Sequence, residues 1–259
     1  MKYGLIVSDT HSGHGTGLAP PQYWRESLKA EDPRIRKEAM IRKAIWEFAE
    51  RIFTSRKWDY LFSIGDLVDG KGYANGGIEQ LTTDRLKQVD MAVEALSMAR
   101  AKTKRFVRGT PYHVGKEENF EDIIAQRMDA VIKDHMFVDI DGTVVDMKHK
   151  ISGSGVPNGR ATPLLRSEVW ALMWHERGLA PKPDLIVRGH VHYHILIQDV
   201  VSAKMTMPCL QWDSQYGKRE CEGTIDLGVV EVRFSKGGVY EIIPHILDMT
   251  FAKAEAEQI

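Results

Sequence analysis

The chain has 259 residues, 43% of them hydrophobic and 27% charged, which is enough to bury a sizeable core and excludes wholesale disorder. Its net charge of −1 excludes a protein that coats nucleic acid by bulk charge, because phosphate neutralisation supplies most of that affinity; a local basic patch stays open. No stretch approaches the length of a membrane-spanning helix, so no membrane partner is expected.

The opening MKYGLIVSDTH runs from apolar residues straight into Asp9-x-His11. It lacks the cleavable apolar region of a secretory leader, and a cytoplasmic location is expected. Residues 3–8 predict a buried strand, and the Gly/Pro-rich 13–22 a loop. Ile41, Ile45, Phe48 and Ile52 stand at helical spacing and predict a helix over 34–54. A strand follows at 60–64. Leu86, Val89, Val93 and Leu96 mark a second helix, 105–107 a third strand, and Phe120, Ile124 and Val131 a third helical face. Residues 136–147 predict a hairpin turning at Asp141-Gly142. Leu165, Val169 and Leu172 open a fourth helix, on which Trp170 and Trp174, four apart, are expected in core packing. Residues 184–189 predict a strand, and from 194 onward the pattern is nearly all β. The tail from about 252 is polar and expected to fray. Helices between strands in the first half, then a run of strands, predict two packed sheets with helices outside, in one domain spanning 1–259. Cys209 and Cys221 show neither CxxC nor finger spacing. They are expected as reduced, partly buried thiols, with a disulfide as the alternative in an oxidising compartment.

The polar residues that follow strands carry the chemistry. Asp9 and His11 follow the first strand, Asp66 and Asp69 the second, Thr110 and His113 the third, His149 the hairpin, and His190 and His192 the strand at 184–189. Ligands of α/β sheets gather beyond the carboxyl ends of strands. Taken singly, an Asp-x-His, a Gly-Asp turn or an alternating HVHYH has an ordinary structural explanation. Together and in this order they point to a metal pair. Carboxylate and imidazole suit manganese, iron, zinc, cobalt or nickel, and two divalent ions about 3.5–4 Å apart clamp a phosphate and acidify a water.

The set Asp9-x-His11, Gly65-Asp66-x-x-Asp69-Gly70, the Gly109 loop, His149 and Gly189-His190-x-His192 resembles the calcineurin-like metallophosphoesterases. The resemblance covers residues 9–192 and is similar to the small bacterial and phage-type members. It implies an α/β, four-layer αββα sandwich of two mixed sheets flanked by helices. It implies that Asp9, His11 and His192 hold one divalent ion, with manganese the first choice. His149, His190 and Thr110 would hold a second, Asp66 would bridge the two, and Asp69 would orient the loop. The implied reaction is hydrolysis of a phosphate ester by a metal-bridging hydroxide.

One loop departs from the family pattern, Gly-Asn-His followed by an acid. Here the chain reads Gly109-Thr110-Pro111-Tyr112-His113. A threonine hydroxyl keeps an oxygen donor with a shorter reach. Pro111 fixes a turn, and His113 is expected to return to the place of the family histidine, to stabilise developing charge or protonate the leaving oxygen. The alternative is that His113 is a surface residue beside a weak site.

For the substrate, residues 147–167 hold Lys148, Lys150, Arg160 and Arg166 and no acid. Beside a metal pair, with Arg108, they suit an anionic substrate; an ordinary solvated loop is the equal alternative. Tyr216, Lys218 and Arg219 are further candidates, Trp212 or Tyr112 is placed to stack on a base, and His14 and His194 are expected near the pocket. His135, His175 and His245 read as structural. The leading expectation is a phosphodiesterase acting on nucleic acid or nucleotides. A phosphomonoesterase and a non-catalytic metal-binding module of a nucleic-acid assembly are the rivals. A homodimer is a further possibility, with no interface legible in the sequence.

Overall fold

The computed structural model describes residues 1–73, 76–116, 118–214, 217, 223–236, 238–253 and 256. It shows an α/β fold of two mixed sheets flanked by helices. The strands are β1 (Lys2–Val7), β2 (Tyr60–Ser63), β3 (Thr103–Val107), β4 (Val131–Lys133), β5 (His135–Ile140), β6 (Thr143–Lys148), β7 (Leu185–Arg188), β8 (Ile195–Gln198), β9 (Ala203–Thr206), β10 (Gly228–Ser235) and β11 (Gly238–Ile246). The first sheet has the order β11-β10-β1-β2-β3-β4 and the second β5-β6-β7-β9-β8. Strands β1 to β4 are parallel, with β10 and β11 added antiparallel at one side. In the second sheet β6, β7 and β9 are parallel.

Alternation along each strand builds two cores, because successive side chains point to opposite faces. Ile6, Phe62, Val107, Val230 and Val232 point between the sheets and meet Met136, Met147, Val187 and Met205. Leu5, Val7, Leu61 and Phe106 point the other way, against the helices α1 (Pro33–Phe53), α2 (Arg85–Ser97) and α4 (Phe120–Arg127). Each of these helices starts on a side-chain cap. Asp32 accepts from Arg34 N, Asp84 from Leu86 N and Lys87 N, and Asn119 from Glu121 N, as an N-cap carboxylate or amide does.

Two expectations are corrected. The third helical face does not reach Val131: α4 ends at Arg127, and Val131 lies exposed on edge strand β4. Helix α5 (Thr162–Glu176) does not bury its tryptophans. Trp170 is 55% exposed and Trp174 51%, as are Leu165 and Val169 in similar degree, and only Pro163 and Leu164 are buried. The outer face of the second sheet carries buried polar groups beside Ile186. Arg188 pairs there with Asp146 at 2.8 Å, and buried Lys204 donates to Glu168 of α5 at 2.6 Å. That ion pair fastens the helix together with its buried Pro163 and Leu164.

Candidate metal centre

Five loops at the carboxyl ends of β1, β2, β3, β6 and β7 meet at one place and are tied by backbone bonds. Asp9 N donates to Gly65 O (2.9 Å), His11 N to Asp66 O (3.0 Å) and Gly189 N to His149 O (2.9 Å). Asp9, His11, Asp66, His190 and His192 all take positive φ, between 43° and 75°. Only three other described non-glycine residues do so. L-residues avoid this region, and its occupation clusters where function over-determines the backbone. Gly109 completes the fit: a Cβ there would run into the Asp66 carboxylate.

The side chains form two groups. The ligand atoms of Asp9, His11 and His192 lie within 4.8 Å of one another, and so do those of Asp66, His149 and His190. Asp9 Oδ1 lies 3.3 Å from His192 Nε2 and 4.0 Å from His149 Nε2, between the two groups. Its Oδ2 accepts from Ser8 Oγ and from His190 N (3.1 Å). Asp66 Oδ1 accepts from Thr110 N (2.6 Å), and Thr110 Oγ1 is 3.2 Å from both Asp66 oxygens.

The donor set fits divalent cations. His11 Nδ1 lies 2.8 Å from Asp69 Oδ1, so it carries the proton and Nε2 presents a lone pair, only 3.2 Å from His192 Nε2. His149 Nδ1 faces Ile64 O and carries a proton there, which turns Nε2 on Asp66 Oδ2 at 3.0 Å. Asp9 Oδ1 and His149 Nε2 are both buried without a hydrogen-bond partner. Buried carboxylate oxygens and imidazole nitrogens turned on one another suit a shared cation, a proton or a metal ion. The charges agree. Burial raises the Asp9 and Asp66 carboxyls, but the facing imidazoles outweigh it and hold both well below the carboxylate range. Burial lowers His149, yet Asp66 and Asp9 outweigh it and push it up to about 10. Burial, with His113 beside it, lowers His11 to about 4.

Pro111 opens a single helical turn, α3 (Pro111–Val114). The turn brings the His113 ring to 4.6 Å from that of His11, with Nδ1 3.0 Å from Asp69 O. Asp69 thus touches both histidines. The cationic residues are dispersed. Arg108 is bound to Asp122 (2.8 Å) and Asp134 (3.0 Å). Lys148, Lys150 and Arg166 are exposed. Arg160 stands 4.6 Å over the ring of Tyr193, next to His192. His14 is buried against Thr16, and His194 faces Thr206 O. His135 is held by Asp146 and His245 faces Glu231. Cys209 is buried, with Sγ 3.1 Å from Gln211 O. Tyr216, Lys218, Arg219 and Cys221 lie outside the described residues.

Three supporting residues lay outside every motif. Glu121 of α4 is fully buried and accepts from Leu67 N (2.8 Å) and Gly109 N (2.7 Å), joining the second and third loops. Gln88 of α2 accepts from Gly70 N and donates to Gly70 O. Ser8 fixes Asp9. Only a polar residue interrupting the apolar face of each helix hinted at the first two.

No family model and no curated protein matches the chain. Solved structures similar in fold include Vps29 of Entamoeba histolytica in complex with zinc (12% identity, TM-score 0.47, covering 95% of this chain and 99% of that one). They also include an archaeal phosphodiesterase (13%, 0.46, 95% and 99%) and a predicted phosphoesterase of Streptococcus pneumoniae (11%, 0.40, 94% and 98%). At such low identity and score they establish no activity for this chain.

Proposed function

We propose that this protein is a dinuclear-metal phosphoesterase of the calcineurin-like kind, acting on phosphodiesters of nucleic acid or nucleotides. The observation that carries this reading is the pair of converging groups, Asp9/His11/His192 and Asp66/His149/His190, with buried carboxylate oxygens and imidazole nitrogens turned inward. Asp9, His11 and His192 would hold one divalent ion, manganese being the first candidate, and Asp66, His149 and His190 the other. Asp66 would be shared and Thr110 would offer its hydroxyl. Bound there, such ions neutralise phosphate charge and acidify a water.

The chain's own residues do the rest. Asp69 fixes the His11 tautomer through Nδ1, which aims Nε2 inward,. Thr110 N holds the Asp66 carboxylate in one orientation. His113 donates Nδ1–H to Asp69 O, and in its imidazolium form the Nε2–H goes to the leaving oxygen. A general acid so placed contributes about 10²–10⁴-fold. His113→Ala is therefore expected to cut turnover by about that factor with metal content unchanged. Unaltered turnover removes His113 from the reaction.

Elemental analysis of the manganese-loaded chain tests the assignment. Two ions per chain are expected, with loss of occupancy and of diester hydrolysis in Asp66→Asn. Full occupancy and full turnover in that variant would refute the shared carboxylate.

A further inference from the structure

A cavity of about 600 Å³ opens beside the candidate centre, lined by Lys71, Arg85, Lys116, Tyr73, Tyr112 and Glu118 among others. None of these residues belongs to the cationic set read from the sequence around 148–166. Its position follows from the loops. Lys71 comes two residues after Asp69, and Tyr112 directly precedes His113. Gly70 lies against the carbonyls of Tyr112 and His113 so closely that a Cβ there would meet His113 O at 2.7 Å. The cavity therefore shares its wall with the centre. A file of rings runs from one to the other: His11 to His113 at 4.6 Å, His113 to Tyr112 at 4.8 Å, and Tyr112 to Tyr73 at 6.4 Å.

The lining is cationic and aromatic together. Among the described residues of the lining three cations stand against one carboxylate, and no ion pair joins Lys71, Arg85 or Lys116 to any described residue. Arg85 is held in place by the face of Phe120, 4.1 Å from its guanidinium carbon,. Tyr73 is 66% exposed and Tyr112 42%, and their rings meet at 72°. A flat group that stacks on one ring meets the edge of the other. Aromatic faces beside cations bind unpaired bases and their phosphates, and a paired duplex keeps its bases stacked on one another.

We infer that this cavity is a subsite for one nucleotide of a single-stranded nucleic acid, its base on Tyr112 and Tyr73 and its phosphate on Lys71, Arg85 and Lys116. The next phosphodiester would then reach the metal centre. This rests on the phosphodiesterase reading above and narrows its substrate to unpaired strands.

The test is binding of a fluorescent oligothymidylate to the full chain in EDTA, read by anisotropy. Metal-free binding separates the subsite from catalysis. Tyr112→Ala and Tyr73→Ala are each expected to raise Kd about tenfold, and Tyr112→Phe to keep it. Lys71→Ala and Lys116→Ala are expected to lower the slope of log K against log salt by about 0.7 each. Both tyrosines are exposed, so unchanged circular dichroism melts will show that the variants fold. Binding indifferent to both tyrosines, displacement by inorganic polyphosphate as strong as by unlabelled oligonucleotide, or no binding at all would overturn the subsite. Hydrolysis of bis-p-nitrophenyl phosphate by the metal-loaded wild type is measured alongside. Its absence would sink the phosphodiesterase reading and leave the binding result standing, while turnover with no oligonucleotide binding would sink only the subsite.

Discussion

Glu121 illustrates how the centre is held from outside it. Each of its carboxylate oxygens takes one backbone N–H, Leu67 and Gly109, from the loops that carry Asp66 and Thr110. Burial first, and Asp66 next, raise its carboxyl to about 7. Glutamine offers one oxygen and turns an NH₂ against the other N–H, so Glu121→Gln is expected to cost about 1–3 kcal/mol and to lower the melting temperature. An unchanged melt would show that the two bonds do not hold the loops. A second expectation concerns His149, whose folded-state value of about 10 stands above the roughly 6.5 of an unfolded histidine. A raised folded value contributes stability that is fully present below about pH 6.5 and is lost as pH rises through about 10. The metal-stripped chain should lose stability across that window in denaturant titrations, and a flat profile would contradict the His149–Asp66–Asp9 geometry. Cation binding displaces the same proton, so metal affinity should rise with pH. The two clustered groups were legible in the sequence because their residues stand at the ends of strands. Glu121 and Gln88 were not, since they sit mid-helix and act only through loops distant in the chain.

Helix α5 shows the limit at the scale of an element. Its period was readable, and the helix is present over Thr162–Glu176. Periodicity shows that a stripe exists and not what covers it. Trp170 and Trp174 lie on the outside, while the helix meets the sheet through buried Leu164 and through Glu168, which pairs with Lys204. Trp170→Ser and Trp174→Ser should therefore change stability by no more than about 0.5 kcal/mol each. Trp58, which is fully buried and donates Nε1–H to Phe53 O at 2.8 Å, should cost about 3–5 kcal/mol as alanine. Chemical denaturation of the three variants checks the ordering, and a large loss at Trp170 would mean that its face is covered. The α3 turn is the opposite case. Four residues are too few for periodicity, but Pro111 after an extended Thr110 is a helix-start signal, and the turn carries His113 to His11.

For the molecule as a whole, strand alternation explains both the two cores and the site. Even and odd positions of β1, β2 and β3 divide between the inter-sheet core and the helix layer, so the strand ends are fixed from both faces. Parallel order in β1, β2 and β3, and again in β6 and β7, brings their carboxyl ends to the same edge, where ligands collect in such sheets. Runs of Val, Ile, Leu and Phe made the strands readable. Their order across two sheets, and the cavity at Lys71 and Tyr112, depend on pairings between distant segments and were not. Among the described residues no helix is long and apolar enough to cross a membrane. The most direct test of the central claim is the hydrolysis of bis-p-nitrophenyl phosphate by metal-stripped protein before and after addition of Mn²⁺, with p-nitrophenyl phosphate as the paired substrate. Turnover that appears with the metal and favours the diester is the predicted result. Protein that takes up the metal and hydrolyses neither ester would contradict it.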